Sequence, residues 1–416
     1  MQMLTVNNKI KGNKRIPFLD FPTEKASFGR YGIHDYPAML HYLVARYILD
    51  NFGKNKKILY DPFCGSGVSL CEGLRKEMKV YGTDINPLAL LIAQVRCSNY
   101  ENFKLENFKL DNLEKDIKIS NPDIPEVKNI DYWFKDYVIE DLGRIRSVIK
   151  KYSRSSFYDL LLVAFSQTVR DVSNNKKGEF KRFRLNAENL EKFTPDVIAT
   201  FLKNLSDFYQ RIKFDKLNKT KECYLFKSDI VKEIPFNEKV DMVITSPPYG
   251  DSKTTVAYGQ FSSFCLDWIK ELNPFGDADL RLDNESLGGK KINGDISFSK
   301  TLQNTYLQLK TLNSKRAEDL KSFYLDLFKS CKNIMQVLDE NSIVCFVVGN
   351  RTVNKMQIPM DEIVKEIFEY LGLEHKITLM RKIYNKRMPS QNSPTNISGD
   401  KVDTMKHEYI VILKAR

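Results

Sequence analysis

The sequence predicts an α/β protein built around a mostly parallel β-sheet, and three observations support this fold class. Residues 56–100 have the pattern strand, glycine-rich turn, helix, strand and helix, which is a βαβ unit followed by a further helix. Hydrophobic strands return at 222–230 and 239–250. Helix and strand then alternate from residue 316 to the C-terminus. The sequence therefore indicates one sheet whose chain is interrupted by two insertions.

The N-terminal half supplies the first elements of this sheet. A helix is expected over Tyr36–Leu49, because its apolar residues recur at helical spacing and Pro37 suits a first turn. Strands are expected at Ile58–Tyr60 and 79–85, with a helix between them and another over Leu88–Val95. Charged helical patterns then fill 101–220, which predicts a helical insertion.

The C-terminal half begins with the second insertion. Residues 251–315 are polar and glycine-rich with little periodicity, which predicts a loop-rich segment. A helix follows at 316–338. The remaining elements are expected to be a strand in SIVCFVVGN, a helix over Met360–Leu371, a strand over Lys376–Ile383 and a closing antiparallel strand over Glu408–Leu413.

Composition and net charge narrow the classes of function that this sequence can have. The 416 residues carry a net charge of +12, which favours a polyanionic partner such as nucleic acid. No apolar run is long enough to cross a bilayer, and the N-terminus lacks the apolar stretch of a signal peptide, so we expect a cytoplasmic protein. Seven scattered cysteines, only four histidines and the absence of CxxC and HExxH patterns predict no metal site.

The first chemical motif is Asp61-Pro62-Phe63-Cys64-Gly65-Ser66-Gly67, between a strand and a helix. Glycines at 65 and 67 let the backbone pass close to a ligand, but Leu70 breaks the GxGxxG pattern of nicotinamide-binding folds. Asp84 ends the next strand, where a carboxylate can accept both hydroxyls of a ribose. The pair predicts a ligand with an adenosine-like half; a helix cap and a surface carboxylate are the alternative.

The second motif is Thr245-Ser246-Pro247-Pro248-Tyr249-Gly250, after a hydrophobic strand. Proline lacks an N–H group and has a fixed φ, so the carbonyls of Ser246 and Pro247 are free to accept from a substrate amine. Tyr249 offers a flat ring on which a base can stack. A rigid turn after a buried strand is the alternative.

Together the two motifs resemble those of the S-adenosylmethionine-dependent amino-methyltransferases of DNA, the type II restriction-modification methylases. Their glycine motif is similar to DPFCGSG, and their catalytic motif is similar to (Asp/Asn/Ser)-Pro-Pro-(Tyr/Phe/Trp). The resemblance covers about 56–100, 222–250 and 340–412, and it implies a doubly wound, mostly parallel, seven-stranded Rossmann-like sheet with an antiparallel C-terminal strand. It also implies a catalytic domain of residues 1–100, 221–250 and 316–416. The insertions are then 101–220 and 251–315. Target recognition is expected in 251–315 or in the helical insertion, and a joint role of the two is favoured.

The resemblance also assigns site residues. S-adenosylmethionine is the implied methyl donor, with no metal, and Ser246, Pro247, Pro248 and Tyr249 are the implied catalytic residues. Asp84 is expected at the ribose, Ile85 on the adenine face and Asp229 at the adenine amine. A weaker match places Tyr36 and Pro37 near the methionine carboxylate. The other expected cofactor-binding residues are Asp61, Phe63, Cys64, Gly65, Ser66, Gly67, Asn86 and Ser246.

Residue type at the catalytic motif indicates the reaction. An exocyclic amine is a poor nucleophile, and acceptors at Ser246 and Pro247 would favour its tetrahedral geometry of attack. The target base would have to leave the duplex, with Tyr249 stacking on it. None of the seven cysteines follows a proline, which excludes methylation at carbon 5 of cytosine by resemblance to that family. Ser at position 246 resembles the enzymes that methylate N4 of cytosine.

Three alternatives remain at this point: methylation of N6 of adenine in DNA, methylation of N2 of guanine in tRNA, and a catalytically inactive DNA-binding regulator on this fold. The chemically complete motifs argue against the regulator. Ser rather than Asp at position 246, and the short segment before the first motif, argue against the tRNA enzyme. Two basic segments, 176–184 and 381–389, interleave Lys and Arg with aromatic residues, a pattern that suits either DNA contact or a solvated face. The expected partners are double-stranded DNA and a cognate restriction endonuclease on a separate chain.

Overall fold

The computed structural model describes residues 13–101, 110–217, 222–251, 256–277, 282–384, 391–392, 402–403 and 405–416. Its strands are β1 Asn13–Arg15, β2 Ile58–Asp61, β3 Lys79–Asp84, β4 Cys223–Lys227, β5 Val240–Thr245, β6 Leu338–Val348, β7 Thr352–Val353, β8 Met356–Gln357, β9 Glu374–Lys382, β10 Gln391–Asn392, β11 Val402–Asp403 and β12 His407–Lys414. Its helices are α1 Tyr42–Phe52, α2 Val68–Arg75, α3 Pro87–Cys97, α4 Leu110–Ile119, α5 Ile130–Trp133, α6 Asp136–Lys151, α7 Tyr158–Val172, α8 Ala187–Lys192, α9 Val197–Phe214, α10 Tyr258–Ile269, α11 Leu282–Glu285, α12 Lys300–Leu312, α13 Ser314–Val337 and α14 Met360–Tyr370.

The central sheet has the order β1-β9-β12-β6-β5-β2-β3-β4. Every neighbouring pair is parallel except the two that involve β12, which runs antiparallel to β6 and β9. The mostly parallel sheet and its antiparallel C-terminal strand are confirmed. The sheet has one strand more than the seven predicted, because the three-residue strand β1 pairs with the edge of β9.

The sheet is covered on both faces, as its strand periodicity requires. Leu59, Met242 and Ile410 point into a hydrophobic cluster shared with α1 and α2. Their chain neighbours, such as Tyr60 and Val243, point into a second cluster shared with α13 and α14. Alternate residues of one strand therefore anchor helices on opposite faces, which is the doubly wound arrangement.

A third cluster joins the helices between α3 and β4 to the rest of the molecule. Helices α4, α6, α7 and α9 pack with α3 and with α10, around buried side chains such as Phe165, Phe201 and Trp268. Within the described ranges, no helix is both long and apolar enough to cross a membrane.

Two predicted segments differ from the structure. The helix expected from Tyr36 begins at Tyr42, because Ala38 has a left-handed backbone (φ 51°) and the His41 side chain caps the helix by accepting from the Leu43 amide. The loop-rich segment 251–315 contains three helices, α10, α11 and α12, in addition to loops. Residues 252–255 and 278–281 of that segment, and 385–389 of the second basic segment, lie outside the described residues.

Candidate active site

The motif residues meet in one cavity at the carboxyl ends of β2, β3 and β5, the edge where open α/β sheets bind ligands. The second wall of the cavity comes from Tyr258 and from Leu282, Asp283 and Glu285–Leu287. The predicted residues that line the cavity are Tyr36, Asp61, Phe63, Cys64, Gly65, Ser66, Asp84, Ile85, Asn86, Asp229, Ser246 and Pro248. The predicted residues Pro37, Gly67, Pro247 and Tyr249 are not part of the lining.

Asp61 joins three elements at the floor of the cavity. The Thr245 hydroxyl donates to one of its carboxylate oxygens at 2.6 Å, and the Phe63 amide donates to the same oxygen at 3.1 Å. The Ser69 hydroxyl on α2 donates to the other oxygen. Burial raises the pKa of Asp61 to about 6, against the opposing effect of these hydrogen bonds. The side chain therefore holds the ends of β2 and β5 and the start of α2 together.

The glycine turn follows directly. Gly65 and Gly67 both have left-handed backbones, with φ of 48° and 80°. A Cβ atom on Gly67 would lie 2.8 Å from the Cβ of Ala93, so only glycine lets α2 begin this close to α3. Gly67 thus shapes the turn from outside the cavity, while Gly65 and Ser66 line it.

Asp84 faces this turn from the end of β3. Its two carboxylate oxygens accept from the amides of Gly65, at 2.9 Å, and Asn86, at 2.8 Å. Burial is the main cause that raises the pKa of Asp84 to about 6. A carboxylate has about four acceptor positions in all, so these amides leave Asp84 acceptor capacity for a ligand hydroxyl.

Asn86 and Tyr36 form the neighbouring part of the wall. The Asn86 amide nitrogen donates to the Tyr36 hydroxyl at 3.2 Å and to the Ser262 hydroxyl of α10 at 2.8 Å. The Tyr36 ring stacks against Tyr258 with a centroid distance of 6.0 Å. These contacts connect the strand ends to the wall formed by α10.

Asp229 lies in the turn after β4. Ser228 begins this turn, and its backbone amide donates to the Asp84 carbonyl at 3.2 Å. One Asp229 carboxylate oxygen accepts from the Val231 amide at 3.1 Å, and the other lies 3.1 Å from the Lys232 ammonium. Asp229 and Asp84 therefore line the same cavity from adjacent strands.

Ser246 and Pro248 face the cavity after β5, and the Tyr249 hydroxyl lies behind them, 3.2 Å from the Ser246 hydroxyl. The Tyr249 ring packs closely against Gly349 at the end of β6, where a Cβ atom would lie 2.9 Å from the ring carbon Cδ2. The ring is partly buried in the cluster beneath β6. The motif is thus fixed by packing at its Tyr249 end, while Ser246 faces the cavity.

Several residues at the cavity were not predicted from the sequence. Arg96 of α3 is fully buried; it donates to the Ser66 hydroxyl and to the Ile33 carbonyl, both at 2.6 Å, and so holds the glycine turn against the segment before α1. Asp283 accepts from the Gly259 amide at 2.9 Å and thereby caps α10. The remaining unpredicted lining residues are Ala38, Met39, Leu40, Pro62, Val68, Ser69, Ser228, Ile230, Tyr258, Leu282, Glu285, Ser286 and Leu287.

The doubly wound sheet, the glycine turn after β2 and the acidic end of β3 define the class of α/β methyltransferases. No protein-family model matches the chain. The type II methyltransferase M.MvaI of Kocuria varians is 37% identical over 440 aligned residues, which cover 98% of this chain and 96% of that protein. The chain belongs to the type II methyltransferases, the family that the two motifs predicted.

Two more distant similarities accompany this match. The type II methyltransferase M.MjaII of Methanocaldococcus jannaschii is 32% identical over 109 residues, which cover 26% of this chain and 21% of that protein. Among solved structures, the rRNA methyltransferase aviRa of Streptomyces viridochromogenes aligns with 92% of this chain and 88% of its own, at 11% identity and a TM-score of 0.32. Similarity at that level carries no functional argument.

Proposed function

We propose that this enzyme transfers a methyl group from S-adenosylmethionine to the exocyclic N4 amine of a cytosine flipped out of duplex DNA, at a specific short site. The observation that carries the proposal is that Ser246 and Asp84 line one cavity, in a chain that is 37% identical to a type II methyltransferase over nearly its whole length. Asp84, expected at the cofactor, and Ser246, expected at the target amine, thereby face the same cavity.

The donor set of the cavity fits S-adenosylmethionine. Asp84 retains acceptor capacity on its carboxylate for ribose hydroxyls, beside the amides that it already accepts from. Phe63, Ile85 and Ile230 supply apolar surface for a purine, and Asp229 supplies a carboxylate beside them. The glycine turn and Tyr36 would border the methionine part. When bound, S-adenosylmethionine supplies a methyl group on a positively charged sulfur, which an amine nitrogen can attack.

Ser246 performs the catalytic positioning in this proposal. Its hydroxyl oxygen would accept a hydrogen bond from the target amine, and the carbonyl of Pro247 would accept a second. Two acceptors draw the amine hydrogens out of the plane of the base and leave the nitrogen lone pair available for attack. Serine rather than aspartate or asparagine at this position favours N4 of cytosine over N6 of adenine, by resemblance within the family.

A basic hairpin, residues 175–184, is our candidate for contact with the DNA backbone. Bonds between Asn175 and Phe183 close it, at 2.7 Å from the Phe183 amide to the Asn175 side chain. Arg182 anchors it to α10 by donating to the Ser263 hydroxyl at 2.7 Å. Lys176, Lys177 and Lys181 are exposed on it.

We further propose that target recognition involves residues 251–315, jointly with the helical insertion at 101–220. Both lie outside the proposed catalytic domain of residues 1–100, 221–250 and 316–416. Tyr258, Leu282, Asp283 and Glu285–Leu287 border the cavity, and the basic hairpin of the helical insertion packs on α10. Methylation would protect the host site from a cognate restriction endonuclease in the same cytoplasm, on another chain.

The test is incubation with S-adenosylmethionine and, separately, duplex DNA and tRNA, followed by digestion to nucleosides and mass spectrometry. We expect N4-methylcytosine from the DNA alone. N6-methyladenine would keep the mechanism and change the base, whereas a methylated guanosine from tRNA alone would overturn the proposal. The variant Ser246→Ala is the matched negative control, because it leaves the rest of the cavity intact.

A further inference from the structure

A chain of three oxygen-bearing side chains runs from the cavity to the C-terminal strand. The Ser246 hydroxyl lines the cavity and lies 3.2 Å from the Tyr249 hydroxyl. The Tyr249 hydroxyl in turn donates to the Glu408 carboxylate of β12 at 3.3 Å. Glu408 is 159 positions from Tyr249 in the sequence and belongs to neither motif.

The Glu408 carboxylate decides the direction of the hydrogen bonds that link these three side chains. An ionised carboxylate only accepts, so the single proton of the Tyr249 hydroxyl is committed to Glu408. The Tyr249 oxygen can then only accept from Ser246, which commits the single Ser246 proton as well. The Ser246 oxygen is left with lone pairs for the cavity.

Glu408 is itself held in place from its other side. It is the cross-strand partner of Arg381 in the β9–β12 pair, and its second oxygen lies 3.0 Å from the Arg381 guanidinium. The Arg381 side chain is only 4% exposed and donates to the Leu19 carbonyl at 3.1 Å. The ion pair therefore fixes the carboxylate that faces Tyr249.

We propose that Glu408 is a positioning residue for methyl transfer, which acts through Tyr249 to make the Ser246 hydroxyl an acceptor toward the substrate. An oxygen that presents lone pairs attracts the N–H groups of an exocyclic amine and repels a ring carbonyl oxygen. The chain thus selects amine-bearing bases at the same site where it positions them. This inference rests on the proposed function.

The direct test is Glu408→Gln, which keeps the shape of the side chain and adds an amide that can donate to Tyr249 and reverse the chain. Transfer of a radioactive methyl group to DNA would be measured as kcat and KM. We expect kcat to fall roughly 10- to 100-fold, the effect of losing a hydrogen bond to a charged group, while KM for S-adenosylmethionine changes by less than about twofold.

Tyr249→Phe is the second variant, because it breaks the chain and leaves the Glu408–Arg381 ion pair intact. We expect Tyr249→Phe to lower kcat to a similar extent. We also expect the double variant to be no slower than the slower single variant, because both changes break the same series of hydrogen bonds. The matched control is Glu374→Gln, which removes a carboxylate from another ion pair on β9, with Lys376 at 2.8 Å, and should leave kcat unchanged.

Two results would overturn the inference. One is a folded Glu408→Gln variant with a lowered melting temperature and an unchanged kcat, because an ion pair with only a structural role would behave in that way. The other is additive losses in the double variant. Because the label reports transfer to any base, wild-type methylation of adenine would contradict the proposed base and still leave the variant ratios measurable, so the two failures are distinguishable.

Discussion

The wall of the cavity at the strand ends and the second wall, formed by Tyr258, Leu282, Asp283 and Glu285–Leu287, differ in what holds them in place. The first is tied together by hydrogen bonds between neighbouring strand ends of one sheet, such as the Gly65 amide on the Asp84 carboxylate and the Thr245 hydroxyl on the Asp61 carboxylate. The second depends on contacts between distant segments, such as Tyr258 against Tyr36 and Asp283 at the start of α10. This difference suggests that the first wall carries the chemistry shared by the class, whereas the second is open to variation with the target.

The largest effect should come from the strand-end wall. Ser246→Ala removes the hydroxyl that lines the cavity and leaves both prolines in place. We expect kcat to fall by about 100-fold or more, the cost of removing one group that stabilises a transition state, with S-adenosylmethionine binding within about twofold of wild type. Steady-state methyl transfer together with calorimetric titration would measure both. Equal losses in turnover and cofactor affinity would assign Ser246 to the cofactor instead.

Asp84→Asn should affect cofactor binding, the other function proposed for the strand-end wall. The amide replaces one of two acceptor oxygens and removes the charge, so S-adenosylmethionine affinity should fall by roughly 10- to 150-fold, equivalent to about 1.5–3 kcal/mol. Calorimetric titration without DNA would measure this. An unchanged Kd would contradict the assignment of Asp84 to the ribose.

The raised pKa of Asp84, about 6, predicts a pH dependence for wild-type binding. Ribose hydroxyls donate more strongly to the ionised carboxylate, so cofactor affinity should fall as the pH drops through 6 and level off above about 7. The pKa of Asp61 is also about 6, and Asp84→Asn should flatten the profile except for what Asp61 contributes. A wild-type profile that is level from pH 5 to 8 would refute this.

A smaller effect is expected in the second wall. Tyr258→Ala removes the ring that stacks on Tyr36, which should weaken cofactor binding by roughly 2- to 12-fold, the usual range for one aromatic pair. Tyr258→Phe is the control and should bind as wild type. If Tyr258→Ala abolished turnover as Ser246→Ala does, the proposed division between the two walls would fail.

The smallest effect per side chain is expected in the basic hairpin. Changing Lys176, Lys177 and Lys181 to Ala should make the negative slope of log DNA affinity against log salt concentration less steep. The expected change is about 0.9 for each DNA phosphate that a lysine no longer neutralises, with cofactor binding unchanged. The control triple is Lys54, Lys56 and Lys239, which precede β2 and β5 at the opposite edge of the sheet. Equal salt slopes in the two triple variants would exclude the hairpin from the DNA interface.

The sequence predicted the parts of the molecule whose structure is determined locally. The order strand, glycine turn, helix was evident around Gly65, and β5 was evident as a hydrophobic run before Ser246. Asp84 could be placed because the carboxyl ends of parallel strands meet at one edge. Most motif residues on these elements line the cavity together, whereas Gly67, Pro247 and Tyr249 are not part of its lining.

The parts that could not be predicted depend on long-range packing. Arg96 has the pattern of a surface cation on a helix, and only its burial against residues 31–34 makes it a support of the glycine turn. Helix α10 was missed because its buried face is defined by contact with α7 rather than by a polar opposite face. Glu408 lies in a strand far along the chain from Tyr249, and only the sheet brings the two together.

The product formed on DNA tests the central claim most directly. Duplex DNA methylated by the wild-type enzyme with labelled S-adenosylmethionine would be digested to nucleosides and separated, with the Ser246→Ala variant treated in parallel. The account predicts label in N4-methylcytosine with the wild type and almost none with the variant. Label in 5-methylcytosine, or equal labelling by the two proteins, would contradict it.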